Sequence, residues 1–186
     1  MHDYQISHLT QAAVAIPVLL GEVGEPRILL TRRPMTMSHH PGELCFPGGK
    51  RASDDPSLYA TALRELQEEL GIAADAILGY RSEVGCTTTS GFHIEPFVVA
   101  LAGDVALRPD AREVAECCEI PLSELLTFTR YRIEKFSHSR DDFSFSFASE
   151  FGAVRGATCA LLLNLVRSLS RAGGVTVYLS ELVANG

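Results

Sequence analysis

Residues 55–71, DPSLYATALRELQEELG, constrain the fold more than any other stretch of the chain. Tyr59, Ala62, Leu63, Leu66 and Leu70 recur at helical spacing and form one apolar stripe. Asp55 and Pro56 are helix-start signals and Gly71 is a stop. The spacing therefore predicts a helix beginning near Asp55 or Pro56 and ending at Gly71. The stripe requires an apolar surface to lie on, and the flanking sequence supplies strands. AAVAIPVLL (12–20) is an apolar run rich in β-formers, GEVGEP (21–26) a turn and RILLTRR (27–33) a second strand. Further strands are predicted at 77–85, 92–101, 130–136 and 142–147. EVAECCEIPLSELL (113–126) reads as a strand followed by a short helix opening at Pro121 or Ser123. A long final helix is expected over about 153–170, with Ala157, Ala160, Leu161 and Leu165 toward the core. Strands with helices between and after them define a mixed α/β chain.

The same helix carries three carboxylates. Glu65 and Glu69 stand one turn apart on one face, with Glu68 beside them. Like charges at this spacing repel, and a hard divalent cation such as Mg2+ or Mn2+ would reverse that cost. The helix contains no His or Cys, which argues against zinc there. Just ahead lies the pair Gly48–Gly49, which lets backbone approach a ligand closely. Arg64 adjoins the glutamates and can hold one by a charge-assisted bond, with Asp55 as a second partner. Three glutamates alone are usually a solvated face and two glycines alone merely a turn; their combination is the specific signal.

Composition excludes several function classes. The formal net charge of −7 is opposed to a general nucleic-acid groove. Five cysteines, an odd number without a C-x-x-C pair, fit neither a disulfide framework nor a zinc site, and suit a reducing cytosol. MHDYQISHLT has no basic stretch before an apolar core, so no signal peptide is expected, and the apolar stretch around 157–166 is too short to span a bilayer. A cytoplasmic protein is expected, without nucleic-acid or membrane partners.

Residues 64–72, RELQEELGI, match the second half of the Nudix hydrolase motif, R-E-(aliphatic)-x-E-E-x-G-(aliphatic). In the common form of that motif the leading glycine and the acid would fall at Lys50 and Pro56. Taking Gly49 and Asp55 instead restores the pattern with one extra residue before Arg64. That longer spacing resembles the coenzyme A pyrophosphatase branch of the family. Its members carry L-L-T-x-R-S-x3-R-x3-G-x3-F-P-G-G ahead of the box. LLTRRPMTMSHHPGELCFPGG (29–49) matches it at Leu29, Leu30, Thr31, Arg33, Gly42, Phe46, Pro47, Gly48 and Gly49. Pro34 replaces the Ser and Ser38 the second Arg. Residues 91–98, 113–126 and Gly156–Thr158 resemble the same branch more loosely.

The resemblance implies an α/β/α sandwich with a central mixed β-sheet, one domain over 1–186 with its core at about 12–170. It implies metal-dependent hydrolysis of a diphosphate bond, with Mg2+ or Mn2+ held by Glu65, Glu68, Glu69, the Gly49 carbonyl and Glu113. Catalysis would fall to Glu68, Glu69, Glu113 and Arg64. Glu113 matches a position where relatives carry a glutamate near the metals, and Glu116 and Glu43 are rivals for the general base. Arg33, Gly48, Gly49, His40 and Lys50 are the expected substrate-binding residues. Arg32 and Arg33 cannot both point inward from one strand, and Arg33 is the one in the motif. The implied partner is a small nucleotide, coenzyme A or acyl-CoA first, cut to 3′,5′-ADP and 4′-phosphopantetheine. Another nucleoside diphosphate derivative or a nucleoside triphosphate (ADP-ribose, NADH, a dNTP) is the alternative, and a non-catalytic nucleotide sensor the third reading. A homodimer is compatible with this reading.

Overall fold

The structure is a computed structural model and describes residues 8–21, 24–135 and 143–184. Its spine is a pair of long parallel strands, β1 (Thr10–Leu20) and β7 (Phe92–Ala102), in register from Thr10↔Phe92 to Leu20↔Ala102. The other edge of β1 is shared. Its second half pairs with β2 (Arg27–Arg32) and its first half, at Ala12–Val14, with β4 (Gly48–Lys50), both antiparallel. β3 (Leu44–Cys45) and β8 (Glu116–Pro121) flank β2, while β5 (Ile77–Ser82) and β6 (Cys86–Thr87) pair with β7. The result is a mixed eight-stranded sheet, and β9 (Tyr131–Lys135), β10 (Phe143–Ser149) and β11 (Gly152–Arg155) form a separate antiparallel sheet.

Period-two alternation along β1 sends its side chains to opposite layers. Ala13, Ala15 and Leu19 join the cluster containing Ala62, Leu66 and Leu70 of α1 (Leu58–Leu70). Ile16 and Val18 join the opposite cluster, with Leu161, Leu162 and Leu165 of α3 (Gly156–Arg171) and Leu179 and Leu182 of α4 (Val175–Ala184). A short α2 (Leu122–Leu125) follows β8. Helices thus cover both faces of a mixed sheet, the expected α/β/α sandwich. Leu66 and Leu70 are fully buried, each worth about 1.5–3 kcal/mol.

Several boundaries differ from the sequence expectation. The helix with the glutamates starts at Leu58, because Ser57 is its N-cap and accepts from Ala60 N–H at 3.1 Å. Asp55 and Pro56 lie before it, and Gly71 closes it in the left-handed region as expected. The predicted strand 77–85 ends early, as β5 at Ser82, and the two-residue β6 follows beyond it at Cys86–Thr87. Residues 152–155 are strand rather than helix, so the long helix begins at Gly156; a further helix, α4, follows it. Ala157 and Ala160 are only half-buried. Positions 136 and 142, at the ends of two predicted strands, lie outside the described residues. Among the described residues no helix is long and apolar enough to cross a membrane.

Candidate active site

The glycines sit where they do because β4 lies tightly against β1. A Cβ on Gly48 would come within 2.5 Å of the Ala13 carbonyl oxygen and 2.7 Å of Val14 Cα, so backbone fills the space a side chain needs. A Cβ on Gly49 would instead meet the carboxylate of Glu65, with Cδ at 2.6 Å. α1 therefore lays its glutamate face directly on the glycine strand. The contact is fixed by a hydrogen bond: Gly48 N–H donates to Glu69 Oε1 at 2.9 Å.

The three glutamates are not equivalent. Glu69 is 4% exposed, whereas Glu68 is on the exposed side of α1. Burial raises the Glu69 carboxyl to about 7, against the Gly48 N–H, which favours the anion; the charges of Glu65 and Glu113 push it further up. Glu65 is raised in the same direction, first by burial and then, against the Arg64 bond, by Glu68 and Glu113. Glu113 thus stands within electrostatic reach of both buried glutamates. Its position follows from the loop after β7. Arg108 N–H donates to Leu70 O at 2.7 Å and Asp110 N–H to Glu69 O at 2.9 Å, capping the last carbonyls of α1. The Glu113 N–H then closes a turn on Asp110 O at 2.9 Å.

Arg64 organises the outer side of this cluster. Its guanidinium donates to Asp55 at 3.2 and 3.1 Å, to Glu65 Oε1 at 2.8 Å, to Glu68 Oε2 at 2.9 Å and to the Lys50 carbonyl at 3.2 Å. Asp55 is 7% exposed and also accepts from Ala52 N–H and Thr61 Oγ1, both at 2.9 Å. The Arg64 bonds hold the Asp55 carboxyl well below the usual carboxylate range, and Asp55 in turn raises the Arg64 pKa. Asp55 thus joins the loop between β4 and α1 to the helix through Arg64.

Behind the glycines opens a cavity of about 620 Å³. Arg33, His40, Gly48, Gly49 and Lys50 all line it. Arg33 Nε donates to the His39 carbonyl at 3.4 Å, and Lys50 Nζ lies 5.3 Å from the centroid of the Phe92 ring. Arg32 faces away from this role: it bonds Glu116 at 2.7 Å and the carbonyls of Phe151 and Gly42. Glu116 is thereby engaged in an ion pair across β2 and β8, and Glu43 lines the cavity in contact with His40 Nδ1 at 2.9 Å. Among Glu113, Glu116 and Glu43, Glu113 is the one whose charge reaches Glu65 and Glu69.

Sequence reasoning missed part of the wall. Thr88, Thr89 and Ser90, the Phe92 ring, and Arg155 with Thr158 also line the cavity. The register of β7 against β1 places Phe92 there, a pairing of residues 82 apart in sequence that local pattern does not contain. Arg155 lies in a segment that reads as helix from sequence and is strand in the structure.

The residues fit a hard divalent cation in kind: oxygen donors, two of them in a buried and mutually repelling pair, beside a strand bare of side chains. As they stand, no group of three His, Cys, Asp or Glu among the described residues converges on one point, and Arg64 holds an oxygen each of Glu65 and Glu68.

Comparison with known proteins identifies the family and the fold. The family model described as NUDIX domain matches residues 9–141. Proteins from Yersinia pestis (strain Pestoides F) and Yersinia pseudotuberculosis, both named Uncharacterized Nudix hydrolase NudL, are 40% identical over 121 residues. That stretch is 65% of this chain and 60% of theirs, so the match spans about three-fifths of the relatives' length. Among solved structures, a MutT/nudix family protein from Enterococcus faecalis superposes with a TM-score of 0.58 at 10% identity, covering 87% of this chain and 62% of that one. The NUDIX domain of Shewanella oneidensis NrtR, complexed with ADP ribose, gives 0.51 at 18% identity, covering 68% and 82%. These structures share the fold. With a family model matching most of its length and its glutamates packed on a glycine strand, the chain belongs to the NUDIX domain family.

Proposed function

We propose that this chain hydrolyses the diphosphate bond of a nucleoside diphosphate derivative, and that its substrate is coenzyme A or an acyl-CoA, cut to 3′,5′-ADP and (acyl-)4′-phosphopantetheine. The observation that carries the reading is the Gly48 N–H bond to the buried Glu69, which seats the helix carboxylates on the glycine strand, while Gly48 and Gly49 themselves line a cavity with Arg33 and Lys50. Glu65, Glu68, Glu69, the Gly49 carbonyl and Glu113 are the groups to hold Mg2+ or Mn2+. When bound, the metal neutralises diphosphate charge and lowers the pKa of a bound water. Arg33 and Lys50 supply positive charge to the substrate in a protein that is otherwise acidic. Glu113 is the proton acceptor in this reading, exposed enough to exchange its proton with solvent. Arg64 has a positioning role: it holds Glu65 and Glu68 in place from Asp55. His40, on the cavity rim, contributes a further donor to the substrate.

Coenzyme A is preferred because residues 29–49 follow the motif of that branch and the glycine–helix loop has its extra residue. Ser38 in place of the second Arg favours the alternative, another nucleoside diphosphate derivative such as the ADP ribose held by the NrtR domain. Incubating the protein with coenzyme A, acyl-CoA, ADP-ribose, NADH and dNTPs, with and without EDTA, decides between them. The expected result is fastest turnover of a CoA compound, abolished by EDTA. Faster turnover of any other compound refutes the specificity, and turnover insensitive to EDTA refutes the metal dependence. Glu69→Gln separates enzyme from sensor: it should cost orders of magnitude in turnover while the protein stays folded.

A further inference from the structure

The polar face of the three-stranded sheet closes the cavity on the side contributed by β9–β11. Glu134, Ser144 and Arg155 reach the wall from β9, β10 and β11, and Thr158 follows from the first turn of α3. Strand alternation explains the grouping. Ser144 pairs with Glu134 and Ser146 with Arg155, while the alternate residues Tyr131, Phe147 and Val154 turn to the core. Arg155 Nε donates to Glu134 Oε2 at 3.3 Å. Its terminal nitrogens carry no hydrogen bond among the described residues, and its side chain is 59% exposed. An exposed ion pair of this kind contributes little to stability, so it is an inexpensive place to hold a cation ready for a ligand.

The cavity is larger than a diphosphate requires and falls in the range of sites that enclose whole ligands. Its cations come from two separate parts of the fold. Arg33, just past the end of β2, and Lys50, in β4, come from the large-sheet side beside the glycines, and Arg155 from the small sheet. We infer that Arg155 is a specificity residue, binding a second phosphate, a monoester carried on the nucleotide in addition to the diphosphate that is cut. The inference rests on the proposed function for the identity of the ligand. The guanidinium offers its terminal nitrogens to a phosphate, and the hydroxyls of Ser144 and Thr158 add donors on the same wall. Glu134 competes with the ligand for Arg155. It sets a threshold that a dianionic phosphate passes and an uncharged hydroxyl does not.

The two members of the pair therefore have opposite effects on one measurement, which a merely structural ion pair would not. Binding of 3′,5′-ADP and of 5′-AMP is measured by calorimetry with Mg2+ on the wild type, Arg155→Gln and Glu134→Gln. The wild type should prefer the bisphosphate by about tenfold, the scale of one charge-assisted contact. Arg155→Gln should erase the preference and Glu134→Gln should widen it. Equal effects of both substitutions on both ligands, a preference that survives Arg155→Gln, or no binding of the bisphosphate overturns the inference. Turnover of coenzyme A against its 3′-dephospho form is followed separately. If neither is cut while the binding preference still depends on Arg155, the proposed reaction fails and the phosphate site stands.

Discussion

Gly48 and Gly49 are adjacent and chemically identical, yet the structure assigns them opposite sensitivities. In Gly48→Ala the new methyl group meets backbone, the Ala13 carbonyl oxygen at 2.5 Å and Val14 Cα at 2.7 Å. Neither can yield without moving β1, the strand every layer of the fold packs on. Overpacking of this kind costs about 1–3 kcal/mol. For a chain of this size that is roughly 2–4 °C of melting temperature per kcal/mol. In Gly49→Ala the methyl group meets only the end of the Glu65 side chain, with Cδ at 2.6 Å. A carboxylate can swing aside, so the stability cost should stay below about 1 kcal/mol, within the range of tolerated substitutions. The displacement needed is roughly 1 Å, and a misplacement of that size at a reacting centre can cost about 100-fold in rate. Thermal melts and turnover of coenzyme A with Mg2+ on the two variants test the contrast. Gly48→Ala should melt early, and Gly49→Ala should melt near the wild type and be nearly inactive. A Gly49→Ala protein with wild-type turnover would refute the argument that Glu65 must sit on the bare strand.

Three further substitutions probe the surrounding network. Arg64→Ala strips its shared cation from Asp55, Glu65 and Glu68; it should cost about 2 kcal/mol in urea unfolding, a buried-pair penalty reduced for the partial exposure of Arg64, and Mg2+ should recover more of that loss than it adds to the wild type. Asp55 is held below its unfolded carboxyl pKa of about 3.8, so its contribution is complete above that value and is lost as pH falls further; Asp55→Asn should flatten the acid limb of a stability–pH curve without changing its shape above neutrality. Glu83 accepts from Tyr178 Oη at 2.6 Å and from Ser168, tying the β5–β6 connection to α3 and α4 outside the cavity. Glu83→Ala leaves two hydroxyls without that partner and should lower stability by about 2–3 kcal/mol while kcat stays unchanged.

Much of the fold was legible because its signals are local. The apolar run of β1, the leucine stripe of α1 and the strand–helix order of 116–125 each follow from the period of their own residues. Boundaries failed where a local signal had a competitor. Asp55 and Pro56 look like a helix start, but Asp55 is taken by Arg64, nine residues on, and Ser57 caps instead. AVRGATCALL reads as continuous helix, yet Ala153–Arg155 pair with β10 and Gly156 has φ +57, which separates strand from helix. Arg155 reaches the cavity wall from that strand, a placement that a helix reading of the segment does not give it.

The glutamates show the corresponding limit for the site. Spacing puts Glu65, Glu68 and Glu69 on one polar face, and on that evidence the three are interchangeable. What separates them is the strand that α1 lies on. Glu69 reaches the Gly48 N–H and is buried; Glu65 faces Gly49, where only the missing Cβ makes room; Glu68 remains outside on Arg64. The motif therefore works as a unit across two elements, with the glycines defining which carboxylate goes under the sheet edge and which stays available at its rim. A helix with the same three glutamates packed on a strand without the glycine pair would keep its charge pattern. It would lose both the close approach of Glu65 and the uncrowded seat of Gly48 against β1. The sequence pairing of FPGG with RELQEELG is in this sense a statement about packing first, and the chemistry follows from where that packing leaves each oxygen.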